Sequence, residues 1–323
     1  MVRNANDLTG LPVTNFKGAK FEHAEEISGQ SLYELIKERG GEGKTAHACM
    51  PGCIIQCSNV VPDEEGKTIV SPLEYETIGL MGSNLGIGDL DTIAKLNAVC
   101  NDLGVDTIET GAVMGMAMEA GIVEFGDNEA ALNLLDEIKT GTELGKLLGE
   151  GTLIAGKALG VKNIPVINGQ AMPAYDPRAI KAMGVTFATS PMGADHTYGP
   201  VVKAEDAVEA SKAAQIMMAK IDCLGLCMFL RGAVAKHMDL FVDLVNAVHG
   251  WDLDMDWLED IALEAIRDEH KFNELAGFTK EDYRMPKAFT NREIDSTNQV
   301  FDIDKDELDE LRLWHDKNKI IYR

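Results

Sequence analysis

Three cysteines at four-residue intervals constrain this chain more than any other feature: Cys49, Cys53 and Cys57 in the run His47-Ala48-Cys49-Met50-Pro51-Gly52-Cys53-Ile54-Ile55-Gln56-Cys57. Pro51-Gly52 forbids a continuous helix through them, so the thiols must sit on a loop. A fourth candidate lies far downstream in Asp222-Cys223-Leu224-Gly225-Leu226-Cys227. Three clustered thiols and one distant thiol are a common way to supply the four thiolates of a [4Fe–4S] cluster, the loop wrapping three corners and the fold bringing up the last.

Zinc is an alternative, but it binds at about 2.3 Å in one tetrahedron and usually takes two C-x2-C knuckles. Here both gaps are three residues and no second knuckle exists. A radical-SAM triad is C-x3-C-x2-C, whereas this chain has C-x3-C-x3-C. Free cysteines are also common core residues. Spacing alone leaves cluster, zinc and no metal open.

Charge narrows the partners. The chain carries a formal net charge of −23, which would repel a phosphate backbone over most of its surface and argues against nucleic acid or an anionic membrane. No apolar run approaches the roughly 20 residues that span a bilayer. Six cysteines in 323 residues are too few for a disulfide scaffold, and Met1-Val2-Arg3-Asn4-Ala5-Asn6-Asp7 lacks the apolar core of a signal peptide. The expectation is a cytoplasmic, soluble, reduced protein.

The elements read as mainly helical, with 45% apolar content enough for two domains. Ser31–Arg39 before Gly40-Gly41 reads as a short capped helix. Asp91 to Asp102, ending at Gly104, and a helix capped by Asp106-Thr107 follow. Leu132 to Leu148 suggests a helical pair about Gly141. A change of texture to Pro165, Gly169, Pro173 and Pro177 places the domain boundary near 165, giving helical domains 1–165 and 166–323. Beyond it, Ala204–Ile221, Ala233–Val248 and Met255–Glu269 read as helices. Thr68-Ile69-Val70 and Val185-Thr186-Phe187-Ala188-Thr189 are the best strand candidates. Gly43-Lys44-Thr45 mimics the end of a phosphate loop, but Glu38 stands where its first glycine is required.

Taken in order, a set of short motifs resembles domains 2 and 3 of the tungsten-dependent aldehyde ferredoxin oxidoreductases along nearly the whole chain. They are Leu11-Pro12-Val13-Thr14-Asn15-Phe16, Ala24–Gly29, the cysteine loop, Ser71-Pro72-Leu73-Glu74-Tyr75-Glu76-Thr77-Ile78, Gly82–Gly86, Ala174-Tyr175-Asp176-Pro177-Arg178, Ala188-Thr189-Ser190 through Gly193-Ala194-Asp195-His196, Phe272-Asn273, Gly277-Phe278-Thr279 and Leu311-Arg312-Leu313-Trp314. The first cysteine gap carries one residue more than the family's usual C-x2-C-x3-C.

The resemblance implies a multi-helical two-domain fold, a tungsten or molybdenum bis-pterin, a [4Fe–4S] cluster, oxidation of an aldehyde, and ferredoxin as electron acceptor. Each pterin is held in the family by a D-x-x-G-L-C/D-x motif. Asp222 to Met228 matches it, which assigns Asp222, Gly225 and Leu226 to a pterin and Cys227 to the cluster beside Cys49, Cys53 and Cys57. The other copy, Asn101-Asp102-Leu103-Gly104-Val105-Asp106-Thr107, departs at Asn101 and Val105, leaving Asp102 and Asp106 as candidates with Asp106 the better. A carboxylate accepts from pterin ring N–H groups and a glycine lets backbone approach closely. Read without the family, Asp222–Gly225 is equally a turn between helices. Glu76 and His196 occupy the positions of a glutamate and a histidine beside the metal, where either would serve as a base; Glu74 competes with Glu76. No histidine has a glutamate three residues before it, so the dimer-bridging iron of some members is not expected, although the resemblance is compatible with a homo-oligomer.

The family's N-terminal, β-rich domain has no counterpart ahead of Met1, which leaves the bis-pterin site incomplete in this chain. The polar start at Met1 favours a separate gene, with a partner chain supplying that domain. A fragment, or a non-catalytic iron–sulfur electron-transfer or interaction protein, are the competing expectations.

Overall fold

The computed structural model describes residues 1–313, which form two compact units: Met1–Ala179 with Pro286–Phe301, and Ile180–Met285 with the residues from Asp302 onward. The fold is mainly α-helical, as the sequence predicts.

The first unit opens with α1 (Val2–Asp7) and α2 (Gly29–Arg39). Ser28, not Ser31, starts α2: its Oγ accepts from the Ser31 amide at 3.1 Å, so the predicted capping serine is the donor and the helix begins three residues earlier than Ser31 would place it. A three-stranded antiparallel sheet follows, β1 (Lys44–His47), β2 (Ser58–Pro62) and β3 (Thr68–Val70), with Lys44 opposite Val60 and His47 opposite Ser58. The cysteine loop is therefore the connection of the β1–β2 hairpin.

Next come α3 (Tyr75–Met81), α4 (Leu90–Leu103) and α5 (Thr107–Glu119). Asp89 caps α4 and Asp106 caps α5, each accepting from the amide three residues on. α5 is buried from Thr110 to Met118, so Met114, Met116 and Met118 are core. Gly111 lets α5 approach α3: a Cβ there would stand 2.7 Å from the Leu80 Cβ. Burial of each methionine contributes about 1.5–3 kcal/mol at most. α6 (Asn128–Thr140) and α7 (Glu143–Gly149) are the expected pair about Gly141, and α8 (Thr152–Ala158) precedes a small hairpin, β4 (Val166–Ile167) and β5 (Gln170–Ala171).

The proline- and glycine-bearing segment that marks a boundary near 165 in the sequence runs on inside this unit to Ala179. It is anchored by buried Asp176 and Arg178, each about 1% exposed. Arg178 Nε donates to Asp176 Oδ1 at 2.9 Å and Nη2 donates to Asp176 Oδ2 at 2.5 Å and to the Phe16 carbonyl at 2.6 Å.

The second unit contains α9 (Lys181–Thr189), α10 (Ala207–Cys223), α11 (Arg231–Val234), α12 (Met238–His249) and α13 (Met255–Leu275). The chain returns to the first unit for α14 (Lys287–Asn291) and re-enters the second for α15 (Lys305–Arg312). Trp314, the last residue of the final family-like motif, lies outside the described residues.

The predicted strand at Val185–Thr189 is instead the end of α9. The helix is buried from Ala182 to Thr189, so tertiary packing overrides the β-branched propensity. Its hydroxyls are satisfied inside, Thr186 Oγ1 near Ser211 Oγ at 2.7 Å and Thr189 Oγ1 donating to the Val185 carbonyl at 2.7 Å. The helix expected over Ala233–Val248 is broken between α11 and α12, where the His237 amide turns back to the Val234 carbonyl. Among the described residues no single helix is long and apolar enough to cross a membrane.

Candidate functional site

Cys49 and Cys57 are exposed and Cys53 is half-buried, on a loop whose turn is closed by the Cys53 amide donating to the Met50 carbonyl at 3.3 Å. Gly52 at φ +83° and Gln56 at φ +47° supply the left-handed backbone that such a tight wrap needs. Ile54 is 94% exposed at its tip. None of the chain's six cysteines is in a disulfide. Among the described residues no three His, Cys, Asp or Glu side chains stand close enough together to hold an ion. The donor chemistry nonetheless fits a thiolate-held cluster: three sulfurs on one loop, two of them exposed. Cys100 is the contrast, fully buried on α4 and pushed by desolvation up to about 11.

The two pterin-type motifs, one in each unit, share a backbone construction. In the first, the Gly104 amide donates to the Asn101 carbonyl at 3.3 Å and the Val105 amide to the Cys100 carbonyl at 3.0 Å. In the second, the Gly225 amide donates to Asp222 at 2.9 Å and the Leu226 amide to Ile221 at 2.9 Å. Gly104 has φ +70° and Gly225 φ +65°, so each motif is a helix C-terminus closed by a left-handed glycine. A Cβ at either would meet nothing within 4 Å, so the glycine is required by its torsion rather than by crowding. The residue two beyond each glycine, Asp106 or Cys227, starts the next helical turn. The turn reading and the cofactor reading are thus compatible: the turn is what presents the side chains.

In the first unit Glu76 is buried, and its Oε2 accepts from the Ala174 amide at 2.7 Å. Tyr75 donates its hydroxyl to the Ala174 carbonyl at 2.7 Å, so adjacent residues of α3 hold both the amide and the carbonyl of one residue. Tyr75 packs against Tyr175 with ring centroids 5.3 Å apart. Glu74 is exposed at the start of α3, with partial desolvation raising its carboxyl; Glu76 is the one turned inward. Thr77 Oγ1 lies 2.8 Å from Thr107 Oγ1, tying the turn after Glu76 to the start of α5 and so to Asp106. Asp106 Oδ2 already accepts from the Glu109 amide at 2.7 Å, while Asp102 is exposed.

In the second unit His196 follows Asp195, whose Oδ1 accepts from the Thr197 amide and hydroxyl, both at 2.6 Å, and from the Tyr198 amide at 2.8 Å. This fixes the turn that carries His196. Asp195 is close enough to Asp222 to raise its carboxyl, although desolvation is the larger cause. Tyr198 donates to Glu269 Oε2 at 2.5 Å. Burial raises Glu269, and Cys223 is raised by burial and then by Asp222 and Glu269. Cys223 is therefore held as a thiol first by burial and then by its acidic neighbours. Asp222 is an acceptor amid carboxylates that a ring bearing N–H groups would relieve, which is how the second motif fits a pterin.

The structure brings Glu76 to the first motif through Thr77 and Thr107, and Asp195-His196 to Asp222 in the second unit. Sequence patterns missed the Tyr75–Ala174–Glu76 grip and the contribution of Glu269 and Tyr198. Adjacent Tyr75-Glu76 in a helix start was the only local signal for the former; the latter joins residues far apart in the chain.

A family profile described as "Aldehyde ferredoxin oxidoreductase, domains 2 & 3" matches residues 1–315. The tungsten-containing aldehyde ferredoxin oxidoreductase of Pyrococcus furiosus is 29% identical over 318 residues, covering 88% of this chain and 50% of its own. That of Thermococcus kodakarensis is 29% identical over 317 residues, with 88% and 50% covered. The aliphatic sulfonate oxidoreductase, WOR-like subunit, of Pyrococcus furiosus is 28% identical over 240 residues, covering 67% of this chain and 37% of its own. Among solved structures, the active site complex BamBC of benzoyl coenzyme A reductase with 1,5 dienoyl-CoA superposes with a TM-score of 0.68 over 98% of this chain and 56% of that one, at 14% identity, a likeness of fold. The chain spans about half the length of the tungsten-containing relatives it matches.

Proposed function

The chain belongs to the aldehyde ferredoxin oxidoreductase family as its domains 2 and 3, and from that premise we propose that it works as the C-terminal part or subunit of a tungsten or molybdenum bis-pterin oxidoreductase. In this reading an aldehyde and water become a carboxylic acid, two protons and two electrons. Cys49, Cys53, Cys57 and Cys227 would hold a [4Fe–4S] cluster, which would supply the exit for electrons to ferredoxin, in the reducing cytoplasm.

When bound, the metal-pterin supplies the two-electron oxidation itself, and protein groups do the rest. Asp222 would accept from one pterin at Gly225-Leu226, and Asp102 or Asp106 from the other. Glu76 and His196 are the bases that take up protons. The family's other half, on the same chain or on a separate one, would complete a water-excluded pocket.

The observation that carries this reading is the matched closure of the two motifs. Each ends a helix on a left-handed glycine and sets a carboxylate or thiol two residues on. Two equivalent turns suit two equivalent ligands.

The thiol-bearing loop taken alone supports a second reading, an iron–sulfur electron-transfer or interaction protein without a catalytic metal. Metal and pterin analysis of anaerobically purified protein, alone and co-expressed with the family's other half, separates them. Tungsten or molybdenum with pterin in the assembly supports the enzyme; iron without either, in both preparations, refutes it.

A further inference from the structure

The second unit contains a cavity of about 510 Å³ away from both cysteine motifs and from His196 in sequence, built on the last turns of α13, the segment 278–283 and the end of α15. Four cations line it, Arg267, Lys271, Lys280 and Arg312, against two carboxylates, Asp268 and Glu274. In a chain of net charge −23 this is a local reversal of sign. Like charges gathered around one space repel, and an anion placed among them removes that repulsion.

The cations are not equivalent. Lys271 Nζ bonds Glu274 Oε2 at 2.5 Å. The Arg312 guanidinium lies over the Tyr283 ring, 5.3 Å from its centroid, an arrangement that holds the fork flat while leaving its edge for hydrogen bonds. Arg312 Nε is buried and has no hydrogen-bond partner among the described residues. A buried donor in that state is destabilising, and an acceptor entering the cavity recovers the lost bond. Tyr283 is itself pinned, its hydroxyl accepting from Asn273 Nδ2 at 2.9 Å. Phe278 and Leu313 add apolar wall. The volume is that of a small-molecule site, and its lining is mainly charged with a short apolar wall.

We propose that this cavity binds a small organic anion, a carboxylate head on a planar apolar body, with Arg312 and Lys280 holding the head and Tyr283 and Phe278 flanking the body. The site is separate in its residues from those assigned to pterin, cluster and proton transfer.

The test is calorimetric titration of the full chain with sodium benzoate, which has both parts, and with inorganic phosphate, which has only the charge. Benzoate is expected to bind saturably with a Kd of about 1 mM or below, more weakly as salt is raised. Lys280→Glu, at an exposed position, and Arg312→Gln are each expected to weaken benzoate at least tenfold, and the exposed control Lys305→Gln to leave it unchanged. Thermal melts of Lys280→Glu matching the unaltered chain exclude a folding effect. Absence of saturable benzoate binding up to ~10 mM, equal binding by both variants, or binding of phosphate without benzoate each overturns the proposal.

Discussion

The Glu76 carboxylate accepts a hydrogen bond from the Ala174 amide at 2.7 Å, across 98 residues of sequence. This bond lets a structural role of Glu76 be separated from a chemical one. Glu76→Gln keeps an acceptor and should leave stability within about 0.5 kcal/mol, whereas Glu76→Ala leaves the Ala174 amide unpaired and should lose about 1–3 kcal/mol. Urea midpoints check both. In the assembled oxidoreductase Glu76→Gln should still lose most aldehyde oxidation; full retention would remove Glu76 from the proton-accepting role.

Tyr75 holds the carbonyl of the same residue. Tyr75→Phe should cost about 0.5–1.5 kcal/mol, because the Ala174 carbonyl loses its donor while the ring contact with Tyr175 stays. Denaturation of the double variant with Glu76→Ala should give non-additive losses, since both residues hold the backbone of Ala174.

Gly104→Ala and Gly225→Ala both place a Cβ in the left-handed region, at φ +70° and +65°, and neither creates a clash. Each should cost about 1–2 kcal/mol from the torsion alone. If the turns present pterin ligands, pterin content of the assembly should fall in both variants by more than in an equally destabilised core variant such as Ile266→Val.

Arg178 and Asp176 form a buried ion pair that also anchors the Phe16 carbonyl. Removing one partner strands the other charge, so Arg178→Ala should lose about 3–5 kcal/mol by chemical denaturation. A loss below about 1 kcal/mol would mean that the pair is not what holds the segment 164–179 in the first unit.

Asp222 and Glu269 have carboxyl groups raised above their ordinary values of 3.8 and 4.5, chiefly by burial. The folded chain therefore binds protons there more tightly than the unfolded chain. Their contribution to stability is present below the ordinary values and is lost as pH rises through the raised ones. Asp222→Asn should flatten the fall of stability with pH above about pH 4. Unfolding free energies from pH 4 to 7 that keep the same slope in the variant would contradict the assignment.

Much of the fold was legible because its signals are local. Asp89, Asp106 and Gly104 stop and start helices where their side chains or torsions require it. Val185–Thr189 was not, because its place in α9 depends on Ser211, Gln215 and the surrounding core, which no window of nine residues contains. In the site, the cysteine spacing and the two glycine turns were visible, and the order of motifs gave the family. The grip on Ala174 and the carboxylates around Tyr198 were hidden, since each joins residues more than 70 apart.

The cysteine assignment is the centre of the account, and electron paramagnetic resonance of the dithionite-reduced, anaerobically reconstituted chain, with iron counted on the same sample, tests it most directly. The account predicts about four irons per chain and the spectrum of a reduced [4Fe–4S] cluster, with both lost or altered in Cys49→Ser and in Cys227→Ser, and both retained in Cys223→Ser. A chain that takes zinc instead, or one whose iron content and spectrum are the same with and without Cys227, would contradict it.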